Sequence, residues 1–277
     1  MLLYIFWNPD VEMLRLGSLS IRWYSMCWLV GLLLAYLVVK RLYKEQKVDN
    51  DLFEPVFIFT FVGVLIGARL GHCLFYEPDY FLSSFPHVIE MILPIRQMAD
   101  GSWRFTGYEG LSSHGGIIGI LIAMVAYSRH YKISLWFVLD TLGIASPLTG
   151  CLIRTGNLFN SEIIGKPADL PWAFVFERVD MLPRHPGQLY EALAYLCIFI
   201  VMWIVHRRYL QKVGTGMYFG LCLTLVFTFR FLIEFTKDIQ EPFEAGMMLN
   251  MGQLLSIPFI IIGIVCMTRK KRTIYLK

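Results

Sequence analysis

Cys197-Ile-Phe-Ile-Val-Met-Trp-Ile-Val205 is nine residues without a charge, and its side chains show no alternation between apolar and polar. A strand of a membrane barrel would present one apolar and one polar face in alternation over about ten residues. A continuous apolar run instead suits a helix in lipid, where the backbone must satisfy its own hydrogen bonds. Working outward, the apolar stretch extends from 189 to 205 before Arg207 and Arg208 close it. Six further segments read the same way: 19–39, 53–77, 114–128, 135–153, 216–235 and 252–268. The third is the shortest, because Ser128, Arg129 and His130 end it early. The expected fold is an all-α, polytopic membrane bundle of about seven helices in a single domain, with long loops at 78–113 and 154–188.

The composition of the 277 residues agrees. It is 56% hydrophobic and only 17% charged, with a mean hydropathy of +0.56. Soluble domains carry about 25% charged residues, so an ordinary cytosolic enzyme, a disordered chain and a small disulfide scaffold are excluded. A net charge of +4 is too small to argue for nucleic acid as a partner.

The position of the cations sets an orientation, since Lys and Arg gather in cytoplasmic loops. The segments after the first, third, fifth and seventh spans hold Lys40, Arg41, Lys44, Lys47, Arg129, Lys132, Arg207, Arg208, Lys212, Arg269, Lys270, Lys271, Arg272 and Lys277, 14 of the 25 basic residues. The N-terminus is therefore expected outside, the C-terminus in the cytoplasm, and both long loops outside. The first 18 residues hold Asp10 and Glu12 and no basic region before an apolar core, so they do not read as a signal peptide. The first span is the expected insertion signal. All six cysteines fall within spans and form no metal-ligand spacing. Gly63, Gly67 and Gly71, four residues apart, align on one helix face as a packing seam.

Ionisable residues inside a bilayer are costly unless paired or wetted, so their depths are informative. Arg22, His114, Arg154 and Glu191 sit at the outer ends of spans. Arg69 lies eight residues, roughly 12 Å of helix rise, below an outer end. Arg230 and Glu234 lie one turn apart in an outer half, and only Asp140 falls toward the cytoplasm. This outward gathering with excess arginine suits an anion such as a lipid phosphate. Two plainer readings stand beside it: Arg230–Glu234 as an intrahelical pair, and His114 as the cap of a glycine-packed helix. The segment Arg154-Thr-Gly-Asn157-Leu-Phe-Asn160-Ser-Glu162-Ile-Ile-Gly165 is harder to explain as a connector, because it sets a cation, two carboxamides and a carboxylate at a membrane surface.

That segment resembles the signature R-x-G-N-x-x-N-x-E-x-x-G of the prolipoprotein diacylglyceryl transferase family of bacterial plasma membranes. Other matches follow in order: Arg22-Trp23-Tyr24, Gly67-Ala-Arg69-Leu-Gly71, Ser112-Ser-His114-Gly115-Gly116, Arg184-His185-Pro186-Gly-Gln188-Leu-Tyr190-Glu191, Arg230-x-x-x-Glu234 and Met251-Gly252-Gln253. The chain departs at Ile153 (commonly glycine), Ser113 (commonly aromatic), Leu158 (commonly phenylalanine) and Lys237 (commonly arginine).

The resemblance implies transfer of the diacylglyceryl group of phosphatidylglycerol to the lipobox cysteine thiol in the signal peptide of a prolipoprotein. The products are a thioether and glycerol phosphate, and no cofactor takes part. It implies a multi-pass protein of the bacterial inner membrane, among membrane lipids, with its site facing the outer leaflet. His114 is then the candidate general base, and Arg154 and Arg230 are the candidate catalytic cations. Tyr24, Arg69, Asn157, Glu162, Glu234, Lys237 and Arg154 itself are the candidate substrate-binding residues. A transporter or channel for an anionic solute or lipid is the second reading, and a non-catalytic membrane scaffold the third. Charges clustered on one side weigh against transport, which needs them at both faces or the midplane.

Overall fold

A computed structural model describes residues 4–16, 19–98, 101–105, 110–238 and 247–276. Four side chains, those of Leu16, Leu19, Ser113 and His114, lie outside the described set. The chain is mostly helical: α1 (Trp23–Glu45), α2 (Asn50–Phe75), α3 (Pro78–Phe81), α4 (Phe85–Ile92), α5 (Ser113–His130), α6 (Leu135–Asn160), α7 (Gly187–Arg208), α8 (Met217–Ile233) and α9 (Met251–Met267). Among the described residues, five helical segments are long and apolar enough to cross a membrane: α1, α2, α6, α7 and Met217–Thr236. The last is α8 extended by the 3-10 turn Glu234–Thr236. Of the seven expected spans, those at α5 and α9 form shorter apolar helices.

Two boundaries differ from the sequence reading in a way that matters. Residues 19–22 are extended, and α1 starts at Trp23. Helix α6 runs to Asn160, so the first half of the signature is helical and not loop. Short strands also occur where only helices and loops were expected. They are β1 (Ile5–Trp7), β2 (Glu12–Leu16), β3 (Leu19–Arg22), β4 (Ile95–Gln97), β5 (Trp103–Phe105), β6 (Phe174–Phe176) and β7 (Pro183–Arg184). β2–β3 and β4–β5 are antiparallel pairs, and β1, β6 and β7 form a three-stranded sheet with β6 in the middle.

The chain divides into two compact units. The larger comprises Met1–Leu42 and Leu139–Ile274, the smaller Tyr43–Val138 and Tyr275–Lys277. In the smaller unit α2 packs on α5 along the expected glycine seam. A Cβ on Gly67 would lie 2.4 Å from the Gly115 carbonyl oxygen, and one on Gly63 would lie 2.8 Å from that of Gly119. Backbones thus meet without side chains between them. The Ser112 amide donates to the Ala68 carbonyl at 2.9 Å, and the Ser112 hydroxyl accepts from Gly115 N–H at 3.3 Å as the N-cap of α5. The cap of this helix is therefore Ser112.

In the larger unit α1 lies on α6, where the Thr149 hydroxyl donates to the Gly31 carbonyl at 3.1 Å. Helices α8 and α9 meet at Gly220 and Gly263, where a Cβ on Gly220 would be 2.4 Å from the Gly263 oxygen. Asp140, fully buried, accepts from the backbone N–H groups of Gly214, Gly216 and Phe219 at 2.8, 2.9 and 2.9 Å. It thereby binds the amides that a helix start leaves without partners. Gly214 and Gly216 have φ of 91° and 90°, a turn that residues with a Cβ rarely adopt. This accounts for Asp140, an acid set apart from the outer group.

Candidate active site

The signature is built by a helix end. Arg154 and Asn157 are three apart and share a face of α6; Arg154 Nη1 donates to Asn157 Oδ1 at 3.3 Å. After Asn160 the chain reverses through Ser161 and Ile163, whose φ values are 56° and 57°. A left-handed β-branched residue costs about 1–3 kcal/mol, so the turn is held by what it achieves. It returns Glu162 to the helix, where Asn157 Nδ2 donates to Oε2 at 3.1 Å and Asn160 Nδ2 to Oε1 at 2.8 Å. Buried Gln188 donates to the Glu162 carbonyl.

Gly165 ends the signature because two backbones cross it. A Cβ there would sit 2.5 Å from His185 Cβ and 2.7 Å from the Thr236 oxygen. Its own N–H donates to the His185 carbonyl at 2.9 Å, and Lys166 N–H to the Thr236 carbonyl at 2.8 Å. Arg184 ties the same region together. Its Nη1 donates to the Gly165 carbonyl at 3.2 Å and to Asp238 Oδ2 at 3.0 Å, and its Nε to Asp180 Oδ2 at 3.0 Å. The hydrogen bonds from Arg184 hold the Asp180 carboxyl below the usual aspartate range. Burial pushes the His185 imidazole down, toward its neutral form.

From Arg154 a chain of charges leads through the unit. Arg154 Nε meets Glu191 Oε2 at 2.9 Å, and the other Glu191 oxygen meets Lys237 Nζ at 3.1 Å. Lys237 Nζ also donates to Glu234 Oε1 at 2.9 Å, with Arg230 Nε 3.9 Å from the same oxygen. Asn250 Nδ2 donates to Glu234 Oε2 at 3.2 Å. Gly252 leaves room for that carboxylate: a Cβ would be 2.5 Å from Glu234 Cδ. Tyr195 lies within electrostatic reach of Glu191, Arg154 and Arg230. Exposure decides which cations a ligand can meet. The side chain of Arg230 is 39% exposed and that of Arg154 15%, whereas Lys237 is 2% and Glu191 0%.

Of the sequence candidates, Tyr24, Arg154, Asn157, Glu162, Arg230, Glu234 and Lys237 all belong to the larger unit. Arg154, Asn157, Glu162, Arg230, Glu234 and Lys237 form the continuous network. Tyr24 packs on it from α1, its Cδ2 2.8 Å from where a Gly156 Cβ would be, and its hydroxyl accepts from Trp28 Nε1 at 3.2 Å. Arg69 and His114 belong to the smaller unit. Arg69 donates from Nη2 to the Glu90 carbonyl at 2.7 Å and lies 4.9 Å from the Phe81 ring centroid, a task of holding α4 and α3. His114 stands on the first turn of α5, and its side chain lies outside the described set.

The candidates omitted Glu191, Gln188 and Asn250. Glu191 carried a signal, since an acid opening an apolar span requires cations of its own. Asn250-x-x-Gln253 is a capping box legible from spacing. Among the described residues no group of three His, Cys, Asp or Glu side chains converges to hold a metal ion.

Spanning helices that carry a network of three cations and three carboxylates, with Glu191, Glu234 and Lys237 buried in it, define a polytopic membrane protein with a polar site at its helix ends. A family model described as prolipoprotein diacylglyceryl transferase matches residues 11–269, and the chain belongs to that family. It is 54% identical over 264 residues to a phosphatidylglycerol–prolipoprotein diacylglyceryl transferase of Bacteroides fragilis, covering 95% of this chain and 94% of the relative. A Tolumonas auensis protein of the same name is 43% identical over 265 residues, with coverage of 95% and 96%. One from Chloroherpeton thalassium is 42% identical over 262 residues, with coverage of 94% and 92%. The chain is a transferase.

Proposed function

We propose that the protein transfers the diacylglyceryl group of phosphatidylglycerol to the lipobox cysteine thiol of a prolipoprotein. The thiol loses its proton to a base, the sulfur bonds to the glycerol carbon of the diacylglyceryl group, and that carbon's bond to the phosphate oxygen breaks. Glycerol phosphate leaves. The observation that carries this reading is the pair of accessible arginines, Arg154 and Arg230, held on buried carboxylates. Such preoriented cations bind a phosphate and stabilise the charge that grows on the leaving oxygen. Asn157, Glu162 and Tyr24 supply hydrogen-bonding groups for the glycerol headgroup. His114 is the general base in this reading, because histidine is the side chain whose unperturbed pKa, about 6.5, suits proton transfer near neutral pH. Lys237, buried between two carboxylates, serves the network and not the headgroup.

The reading includes a membrane placement: seven spans counting α5 and α9, N-terminus outside, C-terminus in the cytoplasm, and the site facing the outer leaflet of the inner membrane. The bias of Lys and Arg supports it. Incubation of membranes with phosphatidylglycerol and a lipobox peptide tests the activity; thioether product supports it, and solute or lipid flux without product supports transport. Single cysteines at Asp169 and Gln211, in a chain lacking the native six, test the placement with an impermeant thiol reagent on intact cells. Labelling at 211 and not at 169 would reverse it.

A further inference from the structure

Glu191 is the junction of the network. It lies in the first turns of α7, is 0% exposed, and divides its two oxygens between cations from different parts of the chain: Arg154 from α6 and Lys237 from the turn after α8. A carboxylate shared in this way restrains both partners at once. Arg154 is the more consequential of the two, because its guanidinium is also held at Nη1 by Asn157. An ion pair at Nε on one side and a hydrogen bond at Nη1 on the other limit how far the planar group swings about its stem. Lys237, by contrast, is only 2% exposed and is occupied by Glu191 and Glu234.

The geometry points to Glu191 as a positioning residue for the transfer: it touches no substrate, but it sets the orientation in which Arg154 meets the phosphate. It does so while neutralising Lys237, so that the cation next to Arg154 neither displaces it nor competes for the headgroup. A carboxylate is needed for this double duty. An amide of the same shape has one oxygen and serves one cation. An aspartate keeps the charge but is one methylene too short to span both. The inference rests on the proposed function, since the anion that Arg154 grips is the phosphatidylglycerol phosphate.

The experiment uses the full chain in detergent micelles with phosphatidylglycerol and a lipobox peptide. Wild-type protein without thioether product would overturn the proposed function itself, before Glu191 is touched. With wild-type turnover in hand, Glu191→Gln is compared in two backgrounds, wild type and Arg154→Lys. Because misplacement of a catalytic group by about an ångström costs about 10²-fold, Glu191→Gln is expected to lower kcat/KM by about that factor in wild type, mostly through kcat. In the Arg154→Lys background the same change is expected to cost less than about threefold, as coupled residues are not additive. Equal losses in both backgrounds, or full activity of Glu191→Gln, would overturn the positioning role. Where Glu191→Gln fails to accumulate, Glu191→Asp replaces it. Retained charge with the same background-dependent loss supports positioning, and full activity of Glu191→Asp overturns it.

Discussion

Lys237 and Glu234, three residues apart, form an ion pair of 2.9 Å in which neither side chain is more than 8% exposed. The ammonium also meets Glu191, so one lysine balances two buried carboxylates. Removing one member of a buried pair leaves an uncompensated charge and costs about 3–5 kcal/mol. Lys237→Met should therefore lower the melting temperature in detergent and the membrane abundance of the protein. Lys237→Arg keeps both carboxylates paired and should lower the melting temperature less than Lys237→Met does. A Lys237→Met protein as stable as wild type would show that the carboxylates are protonated or otherwise balanced.

Arg154 and Arg230 separate charge from geometry. Lysine retains the charge but lacks the planar fork. One lost charge-assisted hydrogen bond is worth about 1.5–3 kcal/mol, so Arg→Lys should slow transfer by about 10- to 150-fold. The loss should be larger at Arg154, which is anchored on two sides, than at the more exposed Arg230. Rates compared at equal amounts of folded protein check this, and unchanged turnover in both variants removes phosphate recognition from these residues.

His114→Asn addresses proton transfer. Loss of a general base lowers turnover by about 10²–10⁴-fold. The deficit should shrink as the pH approaches the thiol's own pKa of about 8.5, where the nucleophile ionises unaided. A pH-independent deficit, or none, assigns His114 to the α2–α5 packing instead.

The Arg184–Asp180 pair predicts acid sensitivity outside the membrane. Hydrogen bonds from Arg184 lower the Asp180 pKa in the folded protein, whereas an unfolded aspartate titrates near 3.9. The folded state binds its proton later, so the pair's contribution is complete above about pH 4 and is lost as pH falls through the lowered value. Deuterium exchange of peptides covering 163–187 should be flat from pH 7 to 5, after correction for intrinsic rates, and rise below 4. Asp180→Asn should exchange faster than wild type from pH 7 to 5, with the difference closing as pH falls below 4.

How far the sequence could be read depended on how local the determinants were. Helices such as α7 and α8 announce themselves because lipid requires a continuous apolar run, and that run is contiguous in sequence. Hydropathy placed the end of the fourth span at Ile153, where charge begins. The helix ignores that boundary, since Arg154–Asn160 keep their backbone bonds and the reversal comes only at Ser161. The sheet escaped because β1 pairs Ile5 with Phe174, and β7 contributes two residues. The arginines and Glu234 were legible as costly intramembrane charges. That Glu191 joins them depended on three segments converging, which no spacing encodes. Arg69 read as a headgroup ligand from its depth alone; its contact with the Glu90 carbonyl was not legible, because charge at a depth does not say which neighbours it meets.

The glycine seam between α2 and α5 admits one register. A slide of one helical turn, about 6 Å at 1.5 Å per residue, would again match small with small at two points, Gly71 on Gly119 and Gly67 on Ala123, but it would bring Gly63 onto Tyr127. That ring is buried where it stands, and its hydroxyl donates to the Leu52 carbonyl of α2. At the other end of the seam the Ser112 amide donates to the Ala68 carbonyl at 2.9 Å. The helix pair is thus pinned like a ratchet at both ends, and the height of His114 along α2 follows from those two bonds and a ring with no second seat.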